Sequence, residues 1–215
     1  MQMARFRASA HGTQGKQNRG GSRITQQSVD LFVHLAHASP MAAIAQLDTH
    51  PSLSRATSSW GETALQAASH LGHRKLIARL VDCGLTLDLF AATALGDVAA
   101  VNAIMAAGPK DLCGVHDLPL LHFAVMSRDL EIVEALIAAG VPLCPPAASL
   151  SPIHSAAGIG SKSMVHALVS AGADVSFTDA FGQTALDWAY ELRVTDPEML
   201  ELLGVPNVRA GRRSA

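Results

Sequence analysis

Aromatic side chains are scarce in this chain of 215 residues, only 4% of the total, and cysteine is limited to three positions. Cys83, Cys113 and Cys144 are odd in number, and no two are close enough in sequence to form a CxxC-type site. That excludes a disulfide framework and favours a reducing compartment with buried or half-buried thiols. No apolar run approaches the ~18 residues that a membrane span needs. The basic N-terminal stretch also lacks the apolar core of a secretory signal. A cytoplasmic location is the expectation. Acid is missing altogether from both ends. Residues 1–27 carry Arg5, Arg7, Lys16, Arg19 and Arg23, and residues 205–215 carry Arg209, Arg212 and Arg213. The centre, 28–204, is left with eight bases against all 18 acids, a net charge of −10. Nucleic-acid binding wants a clustered basic face, and an acidic body with short basic ends does not provide one. The ends, poor in apolar residues, are expected to be disordered basic tails.

What the chain has in quantity is small and aliphatic side chains. Hydrophobic residues make up 49%, mostly Ala, Leu and Val, a composition suited to helices packed closely together. It also has a repeat. Thr63-Ala64-Leu65-Gln66-Ala67-Ala68, Pro119-Leu120-Leu121-His122-Phe123-Ala124, Ser151-Pro152-Ile153-His154-Ser155-Ala156 and Thr184-Ala185-Leu186-Asp187-Trp188-Ala189 are variants of one pattern. Units aligned on it start near 29, 63, 87, 119, 151 and 184, at intervals of 34, 24, 32, 32 and 33. A period near 33 belongs to a stack of like units, in which stability is shared between neighbours.

Punctuation agrees with helix pairs. Ser39, His73, Asp97, Asp129, Ser161 and Asp196 precede the second helix of each unit, and five of these six are good acceptors for free helix-start amides. Pro40 and Pro197 follow at the first helical position. Gly84, Gly108, Gly140, Gly172 and Gly204 stand where the second helices end. Apolar residues such as Ile132, Val133, Leu136 and Ile137 recur at helical spacing, and no segment alternates like a long strand.

Motif, period and caps together resemble the ankyrin-repeat family, most closely at Gly61-Glu62-Thr63, at Gly172-Ala173-Asp174-Val175 and at Asp179–Thr184. The resemblance covers roughly 28–204. It implies an all-α solenoid of stacked helix–turn–helix units joined by short turns or hairpins, with an inner-helix groove. It also implies a structural, hydrogen-bonding role for Thr63, Thr184, His122, His154 and Ser151. The short second interval departs from the family: Gly84–Asp88 runs almost directly into the next helix, so the turn finger of unit three is expected to be absent. A break in the groove is expected there.

Chemistry-bearing constellations are few. His34 and His37 lie three residues apart, as do His70 and His73, and imidazoles at that spacing can share a metal. His37 and His70 are expected on neighbouring inner helices. No cysteine or carboxylate at ligand spacing completes a set, so no metal or cofactor is assigned. No Gly-x-Ser-x-Gly elbow is present, and Gly158-Ile159-Gly160 follows no strand, as a phosphate loop would. The expectation is a non-enzymatic protein. In the resembled family, partners are held by turn tips and by exposed positions late in the inner helices. Carried onto this chain, those are Trp60, Glu62, His70, Leu71, His116, Leu118, Met126, Ser127, Ile159, Phe181 and Gln183. Trp60 is the leading candidate, since an exposed tryptophan brings a large apolar area to a contact. Trp188 and Tyr190 are expected in the core or as a cap of the last unit. The reading is a monomeric scaffold that binds a protein partner. The alternatives are a metal-binding protein using surface histidines such as His37 and His70, or an exported effector using the same groove.

Overall fold

The computed structural model describes residues 24–108, 111–145 and 148–204. The basic stretches 1–23 and 205–215, expected as tails, lie outside the described residues. Six helical hairpins follow one another: α1 (Gln26–Ala38) with α2 (Pro40–Thr49), α3 (Ala64–His70) with α4 (Arg74–Asp82), and α5 (Leu89–Leu95) with α6 (Val98–Ala106). They continue as α7 (Leu120–Met126) with α8 (Leu130–Ala138), α9 (Pro152–Gly158) with α10 (Lys162–Ser170), and α11 (Ala185–Glu191) with α12 (Pro197–Leu202). The first helices of successive pairs pack on one another from α1 through α11, forming one continuous inner row. In the outer row α2 packs on α4, α8 on α10 and α10 on α12, while α6 rests mainly on α5. The helices thus form the expected all-α repeat stack.

Local chemistry sets the helix starts. Thr63 and Gln66 form a reciprocal capping box at α3, and Thr184 and Asp187 do the same at α11. Asp88, Asp97, Asp129 and Asp196 accept from free amides at the starts of α5, α6, α8 and α12. Ser39 and Ser161 stand in the cap positions without making the bond. The Ser161 hydroxyl faces Ser163 instead, at 3.4 Å. Thr25 caps α1, so the helical array begins just ahead of the boundary at 28.

Burial divides the core in two. One cluster gathers Phe32, Leu47, Leu76, Ile77 and Leu80 from the first two units, and the other gathers Leu120, Leu121, Ile132, Ile153 and Leu168 from the later ones. Each fully buried side chain of this size contributes ~1.5–3 kcal/mol of transfer free energy. The clusters meet in unit three, where Ala91 and Ala94 belong to the first and Leu89, Ala92 and Val101 to the second.

Unit three is the anomaly. Residues of the fingers before α3 and α7 pair as short bridges, Thr57 with Thr63 and Cys113 with Pro119. Among the described residues no such bridge lies between Gly84 and Leu89, where Asp88 caps α5 at once. A pocket of about 370 Å³, lined by Asp88, Phe90, Gly114 and Phe123 among others, lies beside this start. With the finger missing, units two and four come into direct contact. Gly72 lies so near Met126 that a Cβ there would sit 2.1 Å from the Met126 carbonyl oxygen, and its φ of +67° already suits glycine. Arg74 Nη1 donates to the Ser127 carbonyl at 3.4 Å, and His122 Nε2 donates to the His70 carbonyl at 2.8 Å. The expected break in the finger row is therefore closed up: the loss of one finger draws its neighbours together.

Candidate functional site

The family-like histidines hold the stack rather than its surface. His122 donates from Nε2 to unit two, and its Nδ1 accepts from the Ser155 hydroxyl of unit five at 2.7 Å. Burial pulls its pKa down to about 4, which keeps the ring neutral and in this tautomer. His154 Nε2 donates to the Gln183 carbonyl at 3.0 Å, and His73 Nε2 to the His37 carbonyl at 3.1 Å. Each ring ties its unit to another.

The expected contact residues separate into two groups. Glu62, His70, Leu118 and Ser127 are buried and offer little surface to a partner. Leu118 belongs to the first core cluster, and the Ser127 hydroxyl turns inward to the Ala124 carbonyl at 2.6 Å. Leu71, Met126, Ile159 and Gln183 are half-buried, and His116 is exposed. Phe181 stands 89% exposed at the tip of the last finger, and Trp60 is 53% exposed at the tip of the finger before α3. Trp60 is anchored at one end, since its Nε1 donates to Glu62 Oε2 at 3.1 Å. Tyr190, expected in the core or as a cap of the last unit, is 54% exposed on α11, the last inner helix among the described residues. Trp188 is half-buried against His154, with its Nε1 donating to Asp179 Oδ2 at 3.0 Å.

The structure also assembles a group of side chains that the linear spacing does not bring together. Glu62 Oε1 lies 3.3 Å from His37 Nε2, 3.6 Å from His70 Nδ1 and 3.5 Å from His116 Nε2. One ligand atom from each of the four falls within 4.8 Å of all the others. His37 and His70 come from the last turns of α1 and α3, Glu62 from the finger before α3, and His116 from the finger before α7. The sequence expectation that no carboxylate completes a histidine set is corrected here. Neither three-residue pair stays together in this group, for His34 is exposed on α1 and His73 faces the His37 carbonyl. Glu62 and His116 had pointed to partner contact only. The one clue in the sequence was the 24-residue interval, since deleting a finger must juxtapose the fingers on either side.

Other reactive groups are less organised. The three thiols are free and half-buried. Burial raises Cys113 and Cys144 above the ordinary thiol range, which disfavours the nucleophilic thiolate. A groove of about 960 Å³ between α8, α10 and α12 is lined by Leu130, Ile137, Ala167 and Leu202, with Lys162 and Glu198 among its polar groups. No helix among the described residues is long and apolar enough to cross a membrane.

Comparison with known proteins agrees with the helical repeat. A family model described as ankyrin repeats (3 copies) matches residues 118–208. None of the curated proteins searched matches the chain.

Proposed function

We propose that this chain, whose residues 118–208 match a model of ankyrin repeats, is an ankyrin-repeat protein acting as a non-catalytic scaffold that holds a protein partner on its fingers and inner helices. Ankyrin repeats are in general protein–protein interaction modules. The observation that carries the reading is the placing of the aromatic residues. In a chain with so few of them, Phe181, Trp60 and Tyr190 all stand at fingertips or at the end of the inner row, exposed by half or more. Large apolar side chains of this kind are the usual anchors of a protein contact. The net charge of −10 over 28–204 favours a partner with a basic surface and makes encounter rates sensitive to salt.

Affinity capture from native lysate, run side by side with wild type and Phe181→Ala, tests the proposal. Phe181 makes no internal hydrogen bond through its side chain and is almost wholly exposed, so its loss leaves the fold intact. A partner retained by wild type and lost by the variant supports the reading. Identical captured proteins at identical yield would remove Phe181 from the contact surface, and the same result for Tyr190→Ala would end the proposed anchor set.

A further inference from the structure

Glu62 is the most unusual acid in the chain. It is only 4% exposed, yet its Oε1 has no hydrogen-bond partner among the described residues. A buried, unpaired carboxylate oxygen costs several kcal/mol and calls for a compensating group. The other half of the carboxylate is fixed, with Oε2 receiving the Trp60 indole N–H and the Glu62 backbone N–H held by Ser58 Oγ. Oε1 is thereby aimed at three imidazole rings.

Protons alone do not meet this need. A charged imidazolium bonded to carboxylate closes to about 2.7–2.9 Å. The three N–O separations here are 3.3, 3.5 and 3.6 Å, and none forms a hydrogen bond. They instead match the distance between two ligands of a tetrahedral zinc ion, about 3.3–3.4 Å for bonds of ~2.0–2.1 Å. One ring is also oriented from behind. His37 Nδ1 donates to the Val33 carbonyl at 2.9 Å, which leaves the Nε2 lone pair directed at Glu62. His70 differs: its Nδ1, the atom 3.6 Å from Glu62 Oε1, also lies 3.1 Å from the Gln66 carbonyl and must give up that contact, with its proton, to bind an ion. Metal-bound histidines characteristically rest their second nitrogen on a carbonyl, as His37 does.

We propose that His37, Glu62, His70 and His116 form a binding site for a divalent transition-metal ion, zinc being the best fit to three imidazoles and one carboxylate. Four protein ligands leave no open position, which marks a structural rather than a catalytic site. The wider ring-to-ring separations, up to 4.8 Å, close by about 1 Å on binding. His116 supplies most of that movement, since it is exposed and lies on a finger at φ +59°. The ion would link three units at once: unit one through His37, unit two through Glu62 and His70, and unit four through His116. It would clamp the stack across the position of the missing third finger. The site is independent of any protein partner.

Titration of the full chain, stripped with a chelator and then exchanged into chelator-free buffer, tests this with zinc chloride followed by calorimetry. Cobalt(II) provides a second probe through its visible absorption. The expected result is one tight site per chain, strong tetrahedral cobalt bands, and a melting temperature several degrees higher with zinc. His116→Ala, an exposed change that spares the core, should weaken zinc by on the order of 100-fold or more and abolish both the bands and the thermal shift. Glu62→Gln should do the same, and His34→Ala should leave all three readouts unchanged. Absence of a one-to-one site in the wild type would overturn the proposal. So would zinc binding that His116→Ala, shown to be folded by circular dichroism, changes by less than twofold.

Discussion

Units four to six and units one to three are built from the same helical hairpin and differ in what they do with its irregularities. The later half keeps near-constant spacing, pairs α8, α10 and α12 in an unbroken outer row, and carries the match to the family model at 118–208. The earlier half loses a finger, leaves α6 resting mainly on α5, and brings unit two against unit four at Gly72. The four-residue group around Glu62 lies at that irregular junction. Regular repeats make a predictable scaffold. A deletion in one of them creates contacts between units that are not neighbours in sequence, and those contacts place new side chains together.

The contrast is sharpest at glycine. Gly72→Ala forces a Cβ against the Met126 carbonyl in a left-handed backbone and should cost ~3 kcal/mol or more. Gly140→Ala, also at positive φ but with nothing within 4 Å, should cost only ~1 kcal/mol. Chemical denaturation of both variants measures the difference, and equal losses would deny the unit two–unit four contact its importance.

His122 joins the two halves, so His122→Ala leaves the His70 carbonyl and Ser155 hydroxyl without their partner. The expected loss is ~2–3 kcal/mol by denaturant titration. The same ring makes stability depend on pH. Its folded pKa of about 4 lies below the ordinary 6.5, so the unfolded chain takes up the proton first. Stability of the metal-free protein should be full above pH 6.5 and fall as the pH drops toward 4, with a smaller fall in His122→Ala. In the regular half, Asp187→Ala breaks the capping box of α11 and should cost ~1 kcal/mol, seen as a small drop in melting temperature. Phe181→Ala should change stability by no more than ~0.5 kcal/mol, so any lost partner binding is read without a folding correction.

The sequence carried the fold because period, motif and caps are local signals. Thr63, Thr184, Asp97 and Asp129 do in the structure what their positions imply. It also carried the absence of the third finger, from the 24-residue interval. It did not carry the consequence. His116 and Glu62 are 54 positions apart, and only the closing of units two and four makes them neighbours. Aligned to a family, both fall at turn positions that suggest contact with a partner; burial then decides differently for each. Of the two places expected for Tyr190, core or cap, its exposure on the last inner helix among the described residues fits the cap, where a position buried in an internal unit becomes surface.

The contact between Gly72 and Met126 also sets how the molecule would carry a load. Tension entering through unit one would pass from unit two straight into unit four, by way of Gly72, Arg74 and His70. Unit three shares that load, since α5 packs on both α3 and α7 and its side chains belong to both core clusters.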